Sequence, residues 1–223
     1  MKSKVSEVKK KSHKILMVDD HAIFREGLSR LLQNEKGLVV CGEATDAEEA
    51  LKKIELLKPD LVIVDISLGG MNGIDLTKSL RTKYPLLFIL VLSMHKEALY
   101  AERALRAGAN GYIMKKESGA KLLDAIGRVL QGQTYVSNDL NESILQKMTS
   151  SGRGVSGPLL DTLSDRELEV FQFVGQGYGT RQIAQELNIS MKTVESHREH
   201  IREKLGLKTN FELVQHAIHQ RIA

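Results

Sequence analysis

Polar side chains close four apolar runs of the chain: Asp19 and Asp20 follow residues 15–18, Asp65 follows residues 61–64, Ser93 follows residues 88–92 and Lys115 follows residues 112–114. Short continuous Ile/Leu/Val runs separated by helical patterns read as buried parallel strands, and open α/β sheets bind ligands beyond the carboxyl ends of such strands. The polar residues therefore converge on one pocket. A lone aspartate there is a competent nucleophile, able to form an acyl phosphate, which makes Asp65 the acceptor. Magnesium prefers octahedral oxygen ligands and retains several waters. That suits Asp20 and Asp65 as direct ligands, Asp19 through water, and the backbone carbonyl of Ser67.

The elements that must position these groups follow from periodicity and caps. Residues 22–33 have helical spacing, with Ile23, Leu28, Leu31 and Leu32 apolar. Asp46-Ala47-Glu48-Glu49 is a capping box that opens a second helix to Leu57, and Pro59 blocks its continuation. Helical patterns at 73–83, 96–107 and 118–131, each preceded by a strand, complete five βα units, a doubly wound five-stranded parallel sheet. A short helical pattern at 139–148 leads into a Ser/Gly-rich linker at 149–158. Beyond it, Ser164-Asp165-Arg166-Glu167 is a second capping box, opening a helix to Gln176; further helices follow at 180–187, 191–205 and about 211–222, an all-α four-helix module.

The chain of 223 residues accommodates two modest domains. Its longest apolar stretch, residues 86–92, is too short to cross a bilayer, and the Lys-rich start lacks an apolar signal segment, so no membrane role and a cytoplasmic location are expected. The net charge of +4 comes from residues 1–14, which carry +5; residues 15–154 are neutral and residues 155–223 carry −1. The basic start reads as a disordered, solvated tail, and DNA binding must be argued from local pattern instead. Cys41 lies in an expected strand and has no assigned role. His197 with His200, and His216 with His219, repeat at i,i+3, but no Cys, Asp or Glu completes a metal set at recognisable spacing.

The order of acid pair, lone Asp, hydroxyl and Lys, with the stretch Asp65-Ile66-Ser67-Leu68-Gly69-Gly70-Met71-Asn72-Gly73, resembles the receiver domain of two-component response regulators over residues 13–132. The resemblance implies a flavodoxin-like receiver fold. It also implies Asp65 as phosphoacceptor, Mg²⁺ on the acidic cluster, Lys115 paired with the phosphoryl oxygens, Ser93 donating its hydroxyl to one of them, and Tyr112 as an aromatic switch that turns inward. Three positions depart from the pattern: Gly69 stands where Pro is usual, Met94 and His95 follow Ser93 where they can screen the acyl phosphate from water, and Lys116-Glu117 follows Lys115.

The segments Leu163 to Val170, Ile183-Ala184-Gln185-Glu186-Leu187, Thr193 to Arg198 and Lys204-Leu205-Gly206 resemble the LuxR-type helix-turn-helix of the NarL/FixJ regulators over residues 159–223. Gly179 replaces a common Ser or Thr cap, and Phe171 a commoner aliphatic residue. On a helical wheel Val194, Arg198, Ile201 and Leu205 share one side. Lys192, Glu195, Ser196, Glu199 and Glu203 face away, toward the major groove. That face is acidic, so phosphate attraction falls to Lys192, Arg198, Arg202, Lys204 and Lys208, with Thr193 as a neutral partner. Glu195 or Glu199 either accepts from cytosine N4 or holds Arg198 and Arg202 in place.

The expected organisation is a basic tail at 1–12, a receiver at 13–132, a linker with a short helix at 133–158 and the DNA-binding module at 159–223. The implied function is a phosphorylation-activated transcription regulator, served by a sensor histidine kinase, binding promoter DNA as a homodimer and not itself an enzyme beyond reactions on Asp65. Two rivals differ in chemistry. A haloacid-dehalogenase-type hydrolase needs a second Asp two residues after the nucleophile, where Ser67 stands, or His21 if Asp19 were the nucleophile. A receiver that no longer takes phosphate and only dimerises would not need an intact pocket.

Overall fold

The computed structural model describes residues 12–94, 97–138, 140, 142 and 160–222. Five parallel strands, β1 (His13–Val18), β2 (Leu38–Ala44), β3 (Leu61–Asp65), β4 (Phe88–Ser93) and β5 (Gly111–Met114), form one sheet in the order β2-β1-β3-β4-β5. Every pairing is parallel. The central β3 is buried along its whole length, as a strand covered on both faces must be. Helices α1 (Ala22–Gln33), α2 (Ala47–Leu57), α3 (Gly73–Lys83), α4 (Glu97–Arg106) and α5 (Gly119–Leu130) supply those covers.

Local chemistry sets the boundaries. The Asp46 carboxylate accepts from the Glu49 amide at 2.9 Å and Glu49 returns a bond to the Thr45 amide, so the expected capping interaction opens α2. Asn72 caps α3 by accepting from Ile74 N at 2.7 Å. Gly73 begins α3 because no larger residue fits: a Cβ there would lie 1.9 Å from the carbonyl oxygen of Asp65. The last turn before β3 ends at Lys58 in the left-handed conformation, ahead of Pro59.

The second module comprises α6 (Asp165–Gly175), α7 (Thr180–Glu186), α8 (Met191–Leu205) and α9 (Asn210–Ile222). Ser164 and Glu167 form the expected reciprocal capping box at the start of α6. The expected helix at 139–148, the linker at 149–158 and the tail at 1–12 fall largely or wholly outside the described residues. The module packs on the receiver. One apolar cluster runs from Ile66, Ile74, Tyr100, Ala101, Ala104 and Tyr112 into Leu160, Leu163, Leu168 and Val170. Polar bonds rim it: Arg103 donates to the carbonyls of Leu160 (2.7 Å) and Leu163 (2.8 Å) and pairs with Asp165 at 3.0 Å, while Lys78 reaches Asp165 at 2.9 Å. Among the described residues no helix is long and apolar enough to cross a membrane.

Candidate functional site

The expected strand-end residues do meet. Asp65 ends β3, Asp19 follows β1 and Ser93 ends β4; all three are buried. Lys115, just past β5, places its Nζ 2.7 Å from Asp19 Oδ2 and 2.7 Å from Asp65 Oδ2, with 4% of its side chain exposed. The same ammonium lies 4.7 Å from the centre of the Phe24 ring. Burial pushes the Asp65 carboxyl up to about 7; Lys115 pulls it down, and Asp19 and Asp20 push it further up. Ligand atoms of Asp19, Asp20, His21 and Asp65 all fall within 4.8 Å of one another. Three crowded carboxylates gain most from a hard divalent cation, so their oxygens fit Mg²⁺.

Two neighbours of the acid pair escaped the sequence reading. His21 Nδ1 lies 2.7 Å from Asp20 Oδ1, and its amide donates to Asp19 Oδ1 at 2.9 Å. Arg25 donates to the carbonyl of Asp19 at 2.5 Å and pairs with Glu43 at 3.2 Å. His21 adjoins Asp19-Asp20 in sequence and was visible there; Arg25 becomes relevant only through the turn of α1.

Ser93 and Tyr112 are both fully buried. The Tyr112 hydroxyl hydrogen-bonds Ser93, and burial raises its pKa. The ring that was expected to move inward is thus already inside, within the apolar cluster shared with the second module. Met94 is 70% exposed and, with His21, Phe24 and Lys115, lines an open cavity beside the pocket. His95 lies outside the described residues.

In the second module α7 and α8 form the helix-turn-helix. Gly179 stands at the N-cap of α7 without a capping side chain, and its amide donates to the Gln182 side chain at 2.9 Å, the half of a capping box that needs no hydroxyl. Ser190 caps α8 by accepting from Thr193 N at 3.0 Å. Val194, Ile201 and Leu205 are buried, while Lys192, Thr193, Glu195, Ser196, Glu199 and Lys208 are exposed. The wheel assigned the faces in this way. The expected phosphate-binding cations divide. Arg198 is half-buried and donates to Thr180 Oγ1 at 3.2 Å, Arg202 donates to the Lys208 carbonyl at 3.4 Å, and Lys204 pairs with Glu167 at 2.6 Å. Those three bind inside their own domain, whereas Lys192 and Lys208 present their side chains outward.

Residues 15–127 match the family described as the response regulator receiver domain, and residues 161–217 match the bacterial regulatory proteins of the luxR family. The oxygen regulatory protein NreC of Staphylococcus aureus is 38% identical over 213 residues, covering 94% of this chain and 98% of that protein. Among solved structures, RcsB of Salmonella enterica serovar Typhimurium, bound to promoter rprA in the presence of the phosphomimetic BeF3-, aligns with a TM-score of 0.61 at 26% identity, covering 92% of this chain and 97% of that one. A LuxR-family two-component response regulator from Aurantimonas sp. SI85-9A1 gives 0.58 at 36% identity, covering 62% of this chain and 99% of that one.

Proposed function

The chain belongs to the NarL/FixJ-type two-component response regulators, which join a receiver to a LuxR-type DNA-binding domain, and from that premise we propose that Asp65 is its phosphoacceptor. It is a phosphorylation-dependent transcription regulator. The observation that carries the assignment is the Lys115 ammonium bridging Asp19 and Asp65 at 2.7 Å each, at the mouth of a sheet where the carboxylates of Asp19, Asp20 and Asp65 converge beside His21.

A carboxylate oxygen of Asp65 attacks the phosphorus of a phosphohistidine on a sensor kinase. The P–O bond forms as the P–N bond breaks; the imidazole nitrogen leaves with the electron pair and takes up a proton. The product is an acyl phosphate. Asp20 and Asp65 directly, Asp19 through water and the Ser67 carbonyl would hold Mg²⁺, which neutralises charge on the phosphoryl oxygens. Lys115 transfers its ion pair from the carboxylate to a phosphoryl oxygen, and the Ser93 hydroxyl turns from Tyr112 to another. A receiver at 13–132 and a DNA-binding domain at 159–223 then act as the two ends of one switch, in the cytoplasm, with promoter DNA gripped by two copies. RcsB has been solved as dimers on DNA, which supports that stoichiometry here.

The test is intact mass after incubation with a small acyl-phosphate donor and Mg²⁺. The parent gains one phosphoryl group per chain and Asp65→Asn gains none; equal labelling of the two would end the assignment, and Asn preserves shape while removing the nucleophile.

A further inference from the structure

The peptide that joins the two acidic residues is held from α1. Arg25 Nη1 donates to the Asp19 carbonyl at 2.5 Å while its Nε pairs with Glu43 of β2 at 3.2 Å, and 14% of the arginine side chain is exposed. The end of β2 grips the same turn, the Asp19 amide donating to the Ala44 carbonyl at 3.0 Å. α1 opens on His21 without a side-chain cap and with no acidic residue in its first turn, so the usual means of fixing a strand-to-helix turn is missing. The guanidinium fork, one helical turn on, takes its place, with one nitrogen on the carbonyl and another on the sheet. Because a peptide unit is planar, a fixed Asp19 carbonyl also fixes the Asp20 amide and hence the root of the Asp20 side chain.

Asp20 has room to leave the pocket if that peptide is released. Asp19 and Asp65 are buried and share the Lys115 ammonium, whereas the Asp20 side chain is 32% exposed and has the exposed His21 ring against it. It borders a cavity of about 600 Å³ that runs past Thr45, Asp46 and Glu48 to Gly69. There the Asn188 side chain lies against the glycine, with its Nδ2 3.0 Å from where a Cβ would stand.

We propose that Arg25 is a positioning residue for the Mg²⁺ site, acting through the main chain of Asp19 on the carboxylate of Asp20. This rests on Asp20 and Asp65 holding the ion. Two effects of the residue oppose each other: its positive charge beside the acidic cluster weakens cation binding, and its hold on the turn strengthens binding by keeping Asp20 beside Asp65. Partners that orient metal ligands carry about ten- to a hundredfold of the affinity. A guanidinium already paired with a half-exposed glutamate exerts less than that through solvent, so position outweighs charge.

The full-length parent, Arg25→Gln, Glu43→Gln and Arg25→Lys are compared by calorimetric titration with Mg²⁺ in the absence of phosphodonor. Arg25→Gln is expected to bind Mg²⁺ about tenfold more weakly, and Glu43→Gln, which leaves the carbonyl bond in place, less than about twofold more weakly. Arg25→Lys keeps the charge, folds if Arg25→Gln does not, and replaces the fork by a single nitrogen, for an expected loss of about threefold. Equal or tighter binding in Arg25→Gln, the result that lost charge alone would give, overturns the proposal, as does parental affinity in Arg25→Lys. An equal loss in Glu43→Gln assigns the effect to the ion pair and overturns the carbonyl route. Phosphorylation of Arg25→Gln from a small acyl-phosphate donor should slow at low Mg²⁺ and recover at saturating Mg²⁺; a rate that stays low assigns Arg25 to the fold and not to the ion. A parent that binds no Mg²⁺ overturns the metal-site reading itself, and the proposal with it.

Discussion

The receiver pocket and the outer face of α8 are built on opposite plans. In the pocket Asp19, Asp65, Ser93 and the Lys115 side chain are buried and already engaged, Lys115 with two carboxylates and Ser93 with Tyr112. On α8 the side chains expected to face the groove are exposed, and three of the five expected cations are bound within their own domain. Preorganisation suits chemistry, where misplacement by an ångström is costly; an exposed face suits a partner that brings its own charge and water. Affinity for DNA is then expected to rest on few phosphate contacts per copy.

Substitutions in the two regions should differ in size and kind. Lys115→Ala leaves Asp19 and Asp65 facing each other without their shared cation, and removing one partner of a buried ion pair costs about 3 kcal/mol. Urea denaturation without Mg²⁺ should read that loss, Mg²⁺ should recover part of it, and DNA binding should cease to respond to the phosphodonor. An undiminished response would remove Lys115 from the switch. Glu199→Gln is predicted to leave stability unaltered and to change base preference at one operator position by about 1–2 kcal/mol; selection on a panel of operators decides, and an unaltered preference assigns Glu199 to a solvated role.

A finer contrast separates two lysines of one helix. Lys192→Ala should lower the slope of log affinity against log salt by about 1, uniformly over sequences, whereas Lys204→Ala should leave the slope unaltered and destabilise the domain through Glu167. Equal slopes would mean that Lys204 leaves its partner on DNA. The smallest effect is expected at Met94→Ala, which opens the exposed approach to Asp65 and should shorten the lifetime of the acyl phosphate about threefold, under 1 kcal/mol in barrier. An unchanged lifetime would show that the side chain does not screen water.

Continuous apolar runs ending in polar residues made the sheet and pocket readable, because a strand buried on both faces cannot place a carboxylate anywhere but at its end. The caps at Asp46 and Ser164 were equally plain, since their partners lie three residues on. What escaped reading depends on distance along the chain. Glu167 meets Lys204 from 37 residues away and Ser67 meets Glu169 from 102, and neither spacing leaves a periodic trace. Arg198 shows the limit of a helical wheel, which assigned its side correctly and could not reveal Thr180 as its acceptor. Gly69 was visible as an oddity, but its reason lies on another domain.

The fit of Asn188 against Gly69 has a practical corollary for hybrid regulators. A receiver bearing a larger residue at that position would press on the Asn188 side chain, so a chimera joined in the linker would have to shift that side chain by a few tenths of an ångström to seat its halves as they sit here. Matching the residue at position 69 to the incoming turn is the graft that spares transplanted parts this adjustment.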